Sequence, residues 1–269
     1  MADPMYRQIA DDLRQEIESG QIQPGQQLQT ELELRERFNA SRNTVRDAIK
    51  LLITLGLVET KPGQGTFVVE KIDPFVTALS GDPETGRGSD EETRYRSEVG
   101  KQNRLADTSP VQVEIQRSPD EIARALRIKK GAEVISRHER RFIDGIPWSM
   151  QTSYYPRELV DQGADRLGSA NNIDEGAVQY LADALRIYQK GYRDRIIVRA
   201  PNVSEATFFK LPPDGRIAMY EIYRTAFDGN KKPMRVTVTV YPADRNQFIV
   251  ESGEVPPLEE QLGEGSPEP

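Results

Sequence analysis

Cysteine is absent from this 269-residue chain, His138 and Trp148 are the only residues of their kinds, and aromatic residues make up 7% of the whole. Without thiols there is no disulfide framework and no thiolate metal site, and one histidine leaves no His-rich set to hold a transition metal. No apolar run approaches the roughly 18 residues needed to span a bilayer. The opening Met-Ala-Asp-Pro-Met-Tyr-Arg has neither the basic start nor the apolar core of an export signal. These shortages predict a cytoplasmic protein with no metal and no cofactor. Catalytic signatures are missing too: there is no P-loop, no Gly-x-Gly-x-x-Gly after a strand, no nucleophile elbow and no His-centred dyad. Acids are plentiful in a chain that is 29% charged, so no pair marks a general acid and base. No catalytic residue is expected, and the chain reads as a non-enzyme.

What is present is charge, unevenly spread. The net charge is −7, which argues against indiscriminate nucleic-acid binding. Between Arg35 and Lys61, however, Arg35, Arg37, Arg42, Arg46, Lys50 and Lys61 face only Glu36, Asp47 and Glu59. A local excess of cations is what a phosphate backbone requires.

The first 72 residues read as three helices and a hairpin. Ile9, Leu13 and Ile17 recur every four residues among polar neighbours, which predicts an amphipathic helix ended by Gly20 and Pro24-Gly25. Thr30 and Glu33 have capping-box spacing for a short second helix reaching Phe38. Asn39 and Ala40 make a tight turn, and Ser41 caps a third helix. On that helix, at about 100° per residue, Arg42, Arg46 and Lys50 share roughly an 80° arc while Val45, Ala48, Ile49, Leu52 and Leu55 cover the other side. Residues 57–60 and 66–69 predict two short strands around Lys61-Pro62-Gly63-Gln64-Gly65. A cationic stripe on a third helix, after a tight turn and before a glycine hairpin, describes a helix-turn-helix with a β-wing. Arginine offers a two-donor fork to guanine in the major groove, and Asn43 and Thr44 near the helix start reach base edges or phosphates. Lys61 supplies charge to the backbone. A charged stripe alone more often means only a solvated face.

The body alternates strands with short helices. Val111–Ile115 reads as a strand, and Ser118-Pro119-Asp120-Glu121 as a capping box opening a helix to about Arg127. Residues 134–143 and 146–155 flank Asp144-Gly145 as a long hairpin. Helices are expected over 157–162, 174–185 and 202–210, strand material over 194–199, and a last hairpin from 217–227 to 234–241. Trp148 and Tyr154 are expected in the core or in a dimer contact. Strands joined largely by hairpins and interspersed with helices predict an α+β domain with an antiparallel sheet. Residues 73–93, rich in Gly, Ser and acid, read as a linker with a short apolar segment over 73–79. Residues 251–269, with six acids and no base, predict a disordered tail. The divisions are therefore 1–72, 73–93, 94–250 and 251–269.

The head resembles the GntR family of bacterial regulators, through Met5-Tyr6-Arg7-Gln8-Ile9-Ala10, Pro24-Gly25, Phe38-x-x-Ser41-Arg42-x-Thr44-Val45-Arg46 and Gly56-Leu57-Val58 running on to Gly63-x-Gly65-Thr66-Phe67-Val68. The resemblance implies a winged helix-turn-helix bound to double-stranded DNA, with Arg42, Thr44, Arg46 and the wing glycines Gly63 and Gly65 in contact, and Tyr6, Thr30, Arg35, Ser41, Asn43, Lys50, Lys61 and Gln64 beside them. One departure stands out: Leu32 occupies a position that in the family usually carries arginine, a role Arg35 or Arg37 would have to assume. The body is similar to the UTRA effector domain of the HutC subfamily, a fold like that of chorismate lyase, through Arg141-Phe142-Ile143-Asp144-Gly145-Ile146-Pro147, Ser153-Tyr154-Tyr155-Pro156, Leu211-Pro212-Pro213 and Tyr241-Pro242-Ala243-Asp244-Arg245-Asn246-Gln247-Phe248. This implies a homodimeric repressor, relieved by a small polar metabolite and bound to palindromic or pseudo-palindromic operators. Arg137, Glu139, Arg141, Gln151, Ser153, Arg235 and Tyr241 are the candidate effector contacts. Phosphosugar sensors of the subfamily carry two arginines where this chain has Glu139 and Arg141, and acids where it has Gln151 and Arg235. Glu139 and Arg235 are thus expected either to pair internally or to read a ligand of different polarity. Two other classes compete: a ligand-independent architectural or plasmid-maintenance protein, and an enzyme of chorismate-lyase-like fold.

Overall fold

The computed structural model describes residues 3–69, 74–79, 91–212 and 215–250. The chain divides into two compact units, Met1–Asp73 and Pro74–Pro269. Most of the expected linker and all of the expected tail lie outside the described residues. No helix among the described residues is long and apolar enough to cross a membrane.

In the first unit, α1 (Met5–Glu18) buries Ile9, Ala10 and Leu13. Helix α2 (Glu31–Phe38) opens with the capping box read from the sequence: the Thr30 hydroxyl accepts from Glu33 N, and the Glu33 carboxylate accepts from Thr30 N at 2.7 Å. It closes on Asn39 in the left-handed region, φ 48°, a conformation asparagine tolerates better than branched residues. Helix α3 (Arg42–Thr54) is capped by Ser41, whose hydroxyl accepts from Thr44 N. The buried residues Val45, Ala48, Ile49 and Leu52 form its inner face. Leu55, expected on that face, is 50% exposed, because α3 ends at Thr54 and Leu55 has become its C-cap. Strands β1 (Val58–Lys61) and β2 (Gly65–Val68) pair antiparallel as the wing. Residues 26–28 run alongside, with Leu28 N donating to Thr66 O and Val68 N to Gln26 O. Glycine suits position 65: its φ of +128° is a backbone conformation that residues with a Cβ rarely adopt, and an added Cβ would press on the Gln27 side chain.

The second unit is a seven-stranded antiparallel sheet with helices and a small parallel pair. Its strands are β4 (Ala106–Thr108), β5 (Gln112–Arg117), β6 (Glu133–Ile143), β7 (Ile146–Pro156), β8 (Gly191–Arg199), β9 (Met219–Phe227) and β10 (Pro233–Pro242). The order is β4-β6-β7-β10-β9-β8, with β5 pairing a further stretch of β6. The expected hairpins are present: β6 turns into β7 at Asp144-Gly145, both at positive φ. At the β9–β10 turn, Asp228 Oδ1 accepts from Asn230 N and Lys232 N. Helix α5 (Asp120–Leu126) buries Ile122 and Leu126 with Val134 and Val236 on one sheet face, and Phe209 of α8 (Val203–Phe209) packs with Met219 and Val240. On the other face Ile135, Tyr155 and Ala226 meet Leu159 of α6 (Glu158–Asp161), Leu167 of a 3₁₀ turn (Asp165–Gly168) and Leu181 of α7 (Ala177–Leu185).

Four expectations are corrected. The Ser118 capping box does not form: α5 starts at Asp120 after Pro119, which places Glu121 one residue short of the reciprocal position. The helix expected from 174 starts at Ala177, since Gly176 ahead of it has φ 82°. The apolar segment over 73–79 contains strand β3 (Phe75–Ala78), which pairs parallel with β11 (Asn246–Ile249). Finally, the linker does not extend to 93, because α4 (Glu91–Lys101) begins at Glu91 and packs Tyr95 and Val99 inward.

Candidate functional site

In the first unit, the caps on α2 and α3 fix which way α3 faces. With Val45, Ala48, Ile49 and Leu52 buried, Arg42, Asn43, Arg46 and Lys50 are exposed. Arg42 is 62% and Arg46 48% exposed, so both guanidinium groups are open to a partner. Neither floats. Arg46 Nε donates to Glu31 Oε1 at 2.8 Å and Arg42 Nε to Glu31 Oε2 at 3.1 Å, so a single carboxylate bridges successive turns of α3. The Arg46 guanidinium, with Arg42 beside it, holds the Glu31 carboxyl below the usual carboxylate range against a smaller opposing effect of burial. Lys50 reaches Asp47 at 3.2 Å.

The other expected DNA-contact residues divide. Ser41, Asn43 and Thr44 cluster at the start of α3, the Ser41 and Thr44 hydroxyls 2.7 Å apart. Lys61, Gly63 and Gln64 form the wing tip, with Lys61 lying over the Phe67 ring at 4.8 Å. Arg35 is exposed on α2. Tyr6 packs against the core of this unit, and the Thr30 hydroxyl is committed to Glu33. Arg37, a candidate to replace the missing arginine at Leu32, is bound to Glu16 on α1 and to Gln29 at 3.0 Å. Sequence reasoning missed Glu31 and Gln27. The signal for Glu31 was its place one residue after the cap, on the side facing α3; for Gln27, whose Nε2 donates to Gln64 O at 2.9 Å, no local pattern existed.

The second unit buries polar side chains along one sheet face. Alternation along the strands and the register between them align Arg137, Ser153, Thr237 and Arg224 in one row, and Glu139, Gln151, Thr239 and Ile222 in the next. Arg141, Ser149 and Tyr241 form the third row. All of these except Tyr241 are buried. The alternation Arg235, Thr237, Thr239, Tyr241 along β10 was the sequence signal for the two threonines. This face opens into a cavity whose wall includes Arg94, Tyr95, Glu98, Arg141, Trp148, Ser149, Arg224 and Tyr241. Trp148 reaches it through a bulge: Arg141 pairs with Ser149 and Phe142 with Pro147, leaving Trp148 as the extra residue. Its indole Nε1 is buried and finds no hydrogen-bond acceptor among the described residues. Burial pushes the Glu98 carboxyl up to about 7, opposed by Arg94 and more distant cations. Tyr95, under the Arg141 guanidinium, is raised to about 12 by burial.

The expected effector residues do not form one set. Arg141 and Tyr241 line this cavity. Glu139, Gln151, Ser153 and Arg137 line a second depression with His138 and Asn172. Arg137 is a staple rather than a reader: it donates to the main-chain carbonyls of Arg166, Leu167, Ser169 and Asn171. Arg235 lines neither cavity, and its Nη2 donates to Gln189 Oε1 at 3.2 Å. Of the two alternatives for Glu139 and Arg235, the internal pair does not form among the described residues: Arg141, two residues along the same strand, takes Glu139 Oε1 with Nε and Nη2 at 2.8 and 2.6 Å. His138, held below its usual pKa by burial and Arg140, bonds Thr152 on the adjacent strand. No group of acidic or histidine side chains able to hold a metal occurs among the described residues. The Tyr241–Phe248 motif has a structural basis: Arg245 pairs with Asp244 and donates to the carbonyls of Pro147 and Phe209, while Phe248 meets Tyr220 and Tyr241 edge-on.

Comparison with known proteins agrees with this two-part geometry. Residues 5–68 match the model for bacterial regulatory proteins of the gntR family, and residues 101–247 match the UTRA domain. An HTH-type transcriptional regulator of Rhizobium meliloti (strain 1021) is 28% identical over 92% of this chain and 95% of its own length. The HTH-type transcriptional repressor NagR of Bacillus subtilis (strain 168) is 26% identical over 91% of this chain and 93% of its own. In fold, a crystal structure of a GntR-family transcriptional regulator superposes with a TM-score of 0.64 at 23% identity, covering 94% of this chain and 99% of that one.

Proposed function

The chain belongs to the GntR family of bacterial regulatory proteins, with a UTRA domain following its DNA-binding head in the sequence, and on that premise we propose a homodimeric, ligand-relieved repressor of palindromic or pseudo-palindromic operators. It is a sequence-specific DNA-binding transcriptional regulator. The observation that carries the rest is the outward face of α3, where Arg42 and Arg46 stand exposed beside Asn43 and Thr44 with the wing tip as a second contact. In this reading α3 enters the major groove, the arginine forks read guanine, and Lys61, Gly63, Gln64 and Gly65 meet the backbone. Lys50 and Arg35 add phosphate contacts. The regulator works in the cytoplasm and performs no catalysis.

A second copy supplies the two-fold symmetry. Strand β8 ends the sheet order and exposes Ile196, Ile197 and Val198 at 43, 36 and 62%. An edge with unpaired backbone groups and apolar side chains favours antiparallel pairing with an identical edge. The effector is a small polar metabolite held over the Arg141–Tyr241 end of the sheet, where the unpartnered Trp148 N–H offers a hydrogen bond to an incoming acceptor. Because Trp148 is the only tryptophan, its emission reports occupancy directly.

The test is selection from a pool of random-sequence duplexes by the full chain. A recovered motif with two inverted half-sites about one helical turn apart supports the reading, and recovery of no motif rejects it. A metabolite panel scored on Trp148 emission and on release of the recovered duplex then tests the sensor.

A further inference from the structure

We infer that Glu31 is a positioning residue for DNA specificity, gripping Arg42 and Arg46 by their Nε atoms and presenting the Nη ends of both guanidinium groups to the duplex. The inference rests on α3 being the DNA-reading helix and adds to it a carboxylate from α2.

The first turn of α2 carries two acids with different tasks. Glu33 turns back, its carboxylate taken by the Thr30 N–H and hydroxyl at 2.7 and 2.8 Å. Glu31 has no part in that box and reaches across to α3. Its two oxygens are divided, Oε1 to Arg46 at 2.8 Å and Oε2 to Arg42 at 3.1 Å. Both bonds use the inner nitrogen of the guanidinium. An arginine held in this way retains the pair of donors at its outer end, the planar fork that matches two acceptors on a guanine edge.

A carboxylate on a surface that meets DNA would ordinarily weaken binding, since it repels phosphate. Here that repulsion falls on every duplex alike, whereas the benefit does not. Two arginines already fixed in direction lose less side-chain freedom on binding, but only where base edges stand in the right places. The carboxylate therefore disfavours loose electrostatic attachment and favours the matched site, which is how specificity arises as a difference of two affinities. Folding stability is not what the bridge changes, because exposed ion pairs add little to it. The short reach also accounts for the geometry of the helix pair: without the tight turn at Asn39-Ala40, Glu31 would not lie beside two successive turns of α3.

The experiment uses the full chain and three proteins, wild type, Glu31→Gln and Glu31→Ala. Affinity is measured for the duplex enriched by wild type from a random pool and for a scrambled duplex, across a range of salt. Both variants should bind the scrambled duplex about 3–10-fold more tightly, with a log–log salt slope steeper by up to about one, and the ratio of matched to scrambled affinity should fall about tenfold. Thermal midpoints should not move, which separates positioning from damage to the fold. A ratio that holds or rises in both variants overturns the inference. Arginine side-chain N–H spectra of the unbound proteins give an independent reading. Two Nε–H signals should stand apart from those of solvated arginines in wild type and merge with them in Glu31→Gln; identical spectra would also overturn it. If wild type enriches no sequence, it is the DNA-binding reading that fails, and the spectra still decide whether Glu31 holds the arginines.

Discussion

The two units put their charged residues in opposite places. In the head, the buried residues among those described are all apolar, Ile9, Leu13, Leu34, Val45 and Leu52 among them, and the arginines of interest point outward from α3. In the body, arginines 137, 141, 224 and 235 are buried along one face of a sheet together with Glu139, Gln151 and Ser153. The same residue type thus performs two kinds of work. An exposed arginine adds little to stability and can bind a partner, whereas a buried one costs stability wherever its charge and donors are left without partners. The head separates stability from function; the body builds its cavity from the groups that hold it together.

That contrast can be broken most sharply at Arg141. Arg141→Ala leaves Glu139 buried without its cation, with Gln151 as its remaining donor, and should destabilise the second unit by about 3–5 kcal/mol, read as urea unfolding followed by Trp148 emission. The double variant with Glu139→Ala should recover a large part of the loss; a single variant as stable as wild type would show that the pair carries no weight. In the head the comparable loss comes from an apolar residue. Leu52→Ala should lower stability by about 2–5 kcal/mol by circular dichroism, while Arg42→Ala should leave it nearly unchanged.

Glu98 gives a smaller, pH-dependent effect. Its carboxyl is pushed up to about 7, so between the ordinary carboxylate range and 7 the folded chain holds a proton that the unfolded chain releases. Stability therefore falls as pH rises through that window. Glu98→Gln should remove the slope, raising stability by about 1 kcal/mol above roughly pH 8 with no gain at acid pH. A slope unchanged by the substitution would place the titrating group elsewhere. Lys61→Ala should have the smallest effect: binding weakened equally for all duplexes and a salt slope shallower by about one, with sequence preference kept.

The contrast also explains what the sequence could disclose. Caps and turns act over three or four residues, so Thr30, Ser41 and the Asp144-Gly145 hairpin were legible, and with them the direction of the α3 face. Leu55 was misplaced because periodicity does not say where a helix stops. Arg37 looked available because Glu16, which binds it, lies on another helix. In the body, the β3–β11 ladder joins segments about 170 residues apart in the chain and leaves no local trace. The cavity wall depends on a one-residue bulge at Trp148 and on Arg94, Tyr95 and Glu98 of α4, a helix for which no element was expected. Which arginine is a staple and which faces the cavity followed only from the carbonyls around Arg137 and the acid beside Arg141.

The central claim is sequence-specific binding through the outward face of α3. Its most direct test is the affinity of wild type, Arg42→Ala and Arg46→Ala for the enriched duplex and for a scrambled one at fixed salt. The account predicts a wild-type preference of about a thousandfold or more, with each substitution removing about 1–3 kcal/mol of specific binding and little of the rest. Equal affinity of all three proteins for the enriched duplex would contradict it.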